Sequence, residues 1–352
     1  MQESVLRKEE DRTFFDEDRD QPIPPVDVVA YNELRSCADL YRMFATGKLE
    51  IQPDFQREVV WKKDEQARFI DSLVKQLPIP SMCFSLDFKT QKWKVIDGLQ
   101  RMSTITAFLG SEDWKIGDVE DIQQLLRNTT NNELKNGNDE QRRVYASVED
   151  ISIPITVIRC SYDVPQHMRY LFTIFNRLNS GGVRLNNQEI RNCIYSGRFN
   201  NLLKAFDRHD KNWATVRRRI WGSMDRFRSV EVLLRALAFC AERNLYDGNL
   251  AGFLNNFMHG KMHIDDWELK ALSEKMERMA ANARVVLDAL PGGKRSLTFV
   301  EGVLVGLLSN DSEIVGLDEV RRVGGYKSAL QNSRLCQFIC MGRVTRFLVL
   351  RQ

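Results

Sequence analysis

An α+β fold, a mixed α/β region followed by a mainly α-helical region, is what this sequence predicts, and three observations carry it. Short apolar strand-like runs alternate with amphipathic segments from Val26 onward. The strand signal fades after about residue 198, and long stretches with the 3.6-residue period take over. With 43% hydrophobic and 28% charged residues, the 352-residue chain can bury a large core, or two.

The first 25 residues mix both signs of charge and hold no long apolar stretch, so they read as a flexible charged tail rather than a leader or a membrane anchor. Pro22, Pro24 and Pro25 close that tail, because consecutive prolines favour extended backbone and lack amide donors. VDVVAY (26–31) then reads as a strand, and 32–48 as a helix that Gly47 ends. Leu49, Glu50 and Ile51 make a short strand that leads into Pro53-Asp54-Phe55-Gln56-Arg57. Residues 62–76 have the apolar spacing of an amphipathic helix, stopped by Pro78 and Pro80. MCFSLDF (82–88) and KWKVID (92–97) form a hairpin around Lys89-Thr90-Gln91.

The second hairpin strand opens abruptly into Asp97-Gly98-Leu99-Gln100-Arg101 and then a helix. This junction reads as an anion site: Gly98 allows a tight turn, and the first amides of the next helix have no partner within it. Arg101 adds a fork-shaped cation suited to phosphate, while Asp97 suits a divalent metal or a water. An Asp97–Arg101 salt bridge at an ordinary turn explains the same residues. Arg57 offers a second cation from a separate loop, and Gln56 an amide for a base or ribose edge; a surface pairing of Arg57 with Asp54 or Glu58 is the plain alternative.

A second constellation is FNRLNSGGVRLNNQEIRN (175–192). Asn179 and Ser180 are short polar caps, Gly181-Gly182 permits positive φ, and Glu189 suits a helix N-terminus. The functional reading brings Asn179 and the glycine turn to a nucleotide, with Asn176 or Glu189 completing a metal shell. Arg217-Arg218-Arg219 with Trp221 is the most basic segment, and it suits either a nucleic-acid backbone or a solvated helix face. Four further amphipathic segments, 201–210, 230–243, 267–290 and 299–309, read as helices.

Composition excludes several classes. The net charge of +3 is too small to announce nucleic-acid binding by bulk electrostatics. Seven scattered cysteines without CxxC spacing argue against a disulfide framework or a zinc ribbon and fit a reducing cytoplasm. No GxxxxGKS phosphate loop is present.

The order PDFQR, Trp61, FIDSLVKQLPIP, VIDGLQRMSTITAF, then FNRLNSGG, Glu189-Ile190-Arg191-Asn192, Asp225-Arg226-Phe227 with Glu231, and FLNNFM (253–258) resembles the N-terminal domain family of GmrSD-type modification-dependent restriction enzymes. That resemblance implies a ParB/sulfiredoxin-like fold for 26–197, followed by a helical domain over 198–352. It implies binding, and often hydrolysis, of nucleoside triphosphates (GTP, ATP or CTP) with Mg2+, centred on the DGxQR element. Asp97, Gly98, Gln100 and Arg101 carry over; Leu99 replaces a glutamine common in the family, which puts turnover in question if that position meets the ligand. The His-Asn-His nuclease domain of two-part relatives is not evident among the chain's four histidines. The expectation is therefore a cytoplasmic nucleotide-responsive regulatory subunit of a bacterial anti-phage or restriction system acting with a separate effector chain. The alternatives are a DNA-binding adaptor and a ParB-like DNA nickase or nuclease.

Overall fold

The structure is a computed structural model that describes residues 24–51, 61–178, 185–221, 227–288, 297–315 and 324. The chain divides into two compact units, Pro22–Leu185 and the residues from Asn186 onward. The first is built on a mixed five-stranded sheet and the second is helical among its described residues. The α+β expectation holds.

Five strands form the sheet in the order β1-β5-β3-β4-β2: β1 Val29–Ser36, β2 Leu49–Glu50, β3 Met82–Asp87, β4 Trp93–Asp97 and β5 Ser152–Cys160. The β3–β4 hairpin is antiparallel, with a register shift between Cys83 and Phe84, while β2 runs parallel to β4. β5 lies inside the sheet between β1 and β3, and its Ile153, Ile155 and Val157 turn into one core. Pro154 is tolerated because β3 pairing begins one residue later, at Met82 opposite Ile155, so its missing N–H is withheld from no β3 bond.

One correction concerns residues 32–36. They continue β1 rather than opening a helix, because the strand pairs with β5 through all eight residues to Ser36 opposite Ser152. The helix, α1 Cys37–Ala45, starts only where the Ser36 side chain accepts the Asp39 N–H at 3.1 Å. Four more helices cover the same sheet face or its margin: α2 Lys63–Val74, α3 Leu99–Gly110, α4 Asn131–Asn136 and α5 Asp139–Asp150. Leu40, Ile70, Leu73, Met102, Ile105, Phe108 and Val148 from these helices bury against Phe84, Trp93 and Val95 of the sheet. A sixth, α6 Pro165–Leu178, packs on β4.

The second unit contains α7 Asn187–Ile194, α8 Arg198–His209, α9 Lys211–Trp221, α10 Arg228–Glu242, α11 Leu250–Gly260, α12 Asp266–Asp288, α13 Leu297–Ser309 and α14 Asp311–Val315. Every residue of α7 is buried, including Asn187, Gln188, Glu189, Arg191 and Asn192. Hydrogen bonds and ion pairs to several of these groups offset much of the cost of burying them. Arg191 meets Glu231 of α10 at 3.0 Å and Asn255 of α11 at 2.9 Å; Glu231 also pairs with Arg235, which reaches Glu301 of α13 at 2.7 Å. One chain of alternating charge thus ties α7, α10 and α13 together, and the neutral Asn255 adds α11.

Candidate functional site

The site grows from the end of β4. Gly98 caps α3 with φ of +93°, in the left-handed region. A Cβ built there would stand 2.6 Å from Cγ and 2.8 Å from Sδ of the buried Met82 on the neighbouring strand. Both the turn and the close approach of β3 therefore require glycine. The first helical bond of α3 is Met102 N–H to the Gly98 carbonyl at 2.8 Å, so the amides of Leu99, Gln100 and Arg101 lie ahead of the ladder and face outward from the helix end.

Arg101 is spoken for on one side. Its guanidinium donates to Asp97 Oδ2 at 3.0 Å, to the Pro80 carbonyl, and at 3.4 Å to the Ser81 carbonyl. Only 13% of its side chain is exposed, and burial lowers its pKa against the opposing pull of Asp97. The salt bridge weighed as the plain reading of this motif is real. It also does something for the site: it fixes one oxygen of Asp97, whose side chain stays 41% exposed, with no protein partner at Oδ1 among the described residues. Gln100 is fixed as well, since its Oε1 accepts the Trp61 N–H at 2.9 Å and its Nε2 is left as the donor. Leu99 packs, partly buried, against the core, so it adds apolar contact beneath the junction.

Gln56 and Arg57 lie outside the described residues, but both described flanks of their segment sit at this end of the sheet. Ile51 follows β2, which runs parallel to β4 and so leaves the sheet where Asp97 does, and Trp61 is bonded to Gln100. Asn176 is half-buried on α6, the helix that packs on β4. Asn179, Gly181 and Gly182 lie outside the described residues.

Glu189 belongs to the second unit, buried in a capping box: its Oε2 accepts the Asn186 N–H at 2.6 Å while Asn186 Oδ1 accepts the Glu189 N–H at 2.9 Å. The cap is Asn186, a residue the sequence reading passed over although the Asn-x-x-Glu spacing announces it. Of the basic segment, Arg217 binds Asp207 at 2.9 Å and Arg219 binds Asp288 at 2.7 Å, while Arg218 is exposed. Asp207 also accepts the Trp213 indole N–H at 2.7 Å, so the first of these arginines helps close the helical core. Trp221 is the last residue of α9. Glu231, one of the residues that carry the resemblance, lies in the buried charge chain; Asp225 and Arg226 lie outside the described residues.

Among the described residues no group of three or more His, Cys, Asp and Glu side chains is arranged to hold a metal ion by itself. Among them, too, no helix is long and apolar enough to cross a membrane. Asp97, whose Oδ1 has no partner among the described residues, does suit Mg2+, which commonly takes one or two carboxylates and completes its shell with water and substrate phosphates.

Residues 38–196 match the family described as GmrSD restriction endonuclease, N-terminal domain, a span that holds the β4–α3 junction, Asn176 and Glu189. Neither the curated proteins nor the solved structures gave a match. Residues 38–196 are thus similar to the N-terminal domain of GmrSD-type restriction enzymes.

Proposed function

We propose that the chain is a nucleoside-triphosphate-binding and hydrolysing regulatory subunit of a bacterial anti-phage or restriction system, acting with a separate effector protein. The observation that carries this reading is the β4–α3 junction, where a carboxylate oxygen of Asp97 with no partner among the described residues stands beside the first amides of α3, which lie ahead of the helical ladder. Polyphosphate supplies the negative charge that such a helix end favours.

In this reading Asp97 would hold Mg2+ through Oδ1 while Oδ2 stays on Arg101, and a metal bound there would supply positive charge for the phosphate oxygens. Arg101 is first a positioning residue: it clamps the Asp97 carboxylate to the Pro80–Ser81 backbone. Its remaining N–H groups are donors for a phosphate oxygen. Gln100, anchored through Oε1, presents Nε2 to the attacking water or the nucleotide. Hydrolysis then adds water to the terminal phosphorus and breaks the bond to the bridging oxygen, releasing inorganic phosphate and the diphosphate. Its consequence is a change of state that a partner chain reads.

The test is phosphate release from each of the four common triphosphates in the presence of Mg2+, comparing the full chain with Asp97→Ala and Arg101→Ala. Turnover by the unaltered chain, lost in Asp97→Ala and reduced in Arg101→Ala, is expected. A chain that neither binds nor turns over any of the four overturns the reading.

A further inference from the structure

The strongest feature outside the junction is a groove of about 460 Å³ between α1, α2 and α3. Its volume falls in the range of about 300–1,000 Å³ typical of small-molecule sites. Tyr41 and Phe44 line it from α1, Gln66 from α2, and Gln100, Ser103 and Gly110 from α3. No charged side chain lines it, in a chain of which 28% of residues are charged. A neutral ligand surface is what such a lining accepts without desolvating an ion.

Two details narrow the chemistry. The Tyr41 ring is laid against the backbone of Gly110, where an added Cβ would stand 2.7 Å from Cε2 and 3.0 Å from Oη. An aromatic wall is thereby braced in place. Gln66 combines a donor and an acceptor, and Gln100, whose Oε1 is held by the Trp61 N–H, adds its Nε2 donor, groups that can pair with the edge of a heteroaromatic base. Gln100 belongs to both places: it stands in the first turn of α3 beside Asp97 and also borders the groove, which follows α3 for ten residues, about 15 Å at the helical rise.

We infer that this groove is the nucleobase subsite of the nucleotide site, with Tyr41 bounding a neutral base and Gln66 and Gln100 reading its hydrogen-bonding edge. The inference rests on the function proposed above, and the experiment separates the two. Equilibrium binding of ATP, GTP, CTP, UTP and inorganic tripolyphosphate, each with Mg2+, is measured on the full chain, on Gln66→Ala and on Ser103→Leu, with thermal melting to confirm that each variant is folded. Gln66→Ala removes one reading amide; Ser103→Leu fills the groove.

The expected result is that the unaltered chain prefers one of the four nucleotides and that each variant weakens that nucleotide about tenfold, the loss of a hydrogen bond or of the space for the ring. Tripolyphosphate binding stays unchanged. Unaltered affinity for all four nucleotides in both variants, alongside loss of binding in Asp97→Ala, overturns the base subsite and leaves the nucleotide reading standing. An equal loss of tripolyphosphate binding in the variants also overturns it, since the effect is then not on the base. Absence of any nucleotide or tripolyphosphate binding to the unaltered chain overturns both.

Discussion

Replacing Gly98 with alanine probes the junction most sharply, because two separate penalties fall on one methyl group. Holding a residue with a Cβ at φ of +93° costs about 1–3 kcal/mol in backbone strain. Lodging that Cβ 2.6 Å from Met82 Cγ forces the packed core to shift, which adds about 1–3 kcal/mol. The sum, about 2–6 kcal/mol, is a large part of the roughly 5–15 kcal/mol that holds a domain together. Urea unfolding followed by far-UV circular dichroism reads it as a fall in midpoint at constant slope. A double-mutant cycle with Met82→Ala separates the two parts: truncating Met82 alone costs about 2–5 kcal/mol, and in the double variant the clash is relieved, so the combined loss is smaller than the sum of the single losses. A Gly98→Ala chain within about 0.5 kcal/mol of the unaltered one, or a strictly additive cycle, refutes the reasoning.

Other outcomes follow from the same structure. Glu231→Ala leaves Arg191 and Arg235 buried without their shared carboxylate and destabilises the helical unit by about 3–5 kcal/mol, seen as a lowered or lost thermal transition; a shift of under 1 kcal/mol contradicts the buried charge chain. Asn186→Ala removes the capping oxygen of α7 and costs about 1 kcal/mol, measurable by the same melting experiment. Burial pushes the Cys37, Cys83 and Cys160 thiols up to about 12, so iodoacetamide at pH 8 spares them in the folded chain and labels them once it is unfolded. Because the folded values lie above the ordinary 9.0, unfolded thiols ionise first; the three contribute stability that is full below pH 9 and is lost as pH rises toward 12, which an alkaline unfolding series checks.

What a sequence announces depends on whether the cause is local. The turn at Gly98 and the helices over 63–74, 198–209, 228–242, 266–288 and 297–309 show in the residues, because a glycine at a strand end and a 3.6-residue period are properties of neighbours in the chain. Residues 32–36 read as helix by periodicity, yet pairing with a strand 124 positions away, Asn32 with Thr156, decides them. β5 leaves no clear signal in the sequence, because Pro154 interrupts its pattern and its interior place depends on partners on both sides. At the site, Asp97, Gly98, Gln100 and Arg101 were visible as a group. Their anchors were not: Arg101 is held by the Pro80 and Ser81 carbonyls and Gln100 by the Trp61 amide, backbone groups that do not depend on the side chain and are carried by every residue type except, for the amide, proline. The charge chain from Arg191 to Glu301 was hidden for a similar reason, because its members lie on helices far apart in sequence.

The central claim, a nucleotide site at the end of β4, is tested most directly by equilibrium binding of the four triphosphates to the full chain with and without Mg2+, repeated on Asp97→Ala. The account predicts Mg2+-dependent binding of at least one triphosphate that Asp97→Ala abolishes while its thermal transition persists. Binding that is indifferent to both the metal and Asp97, or no binding at all, contradicts it.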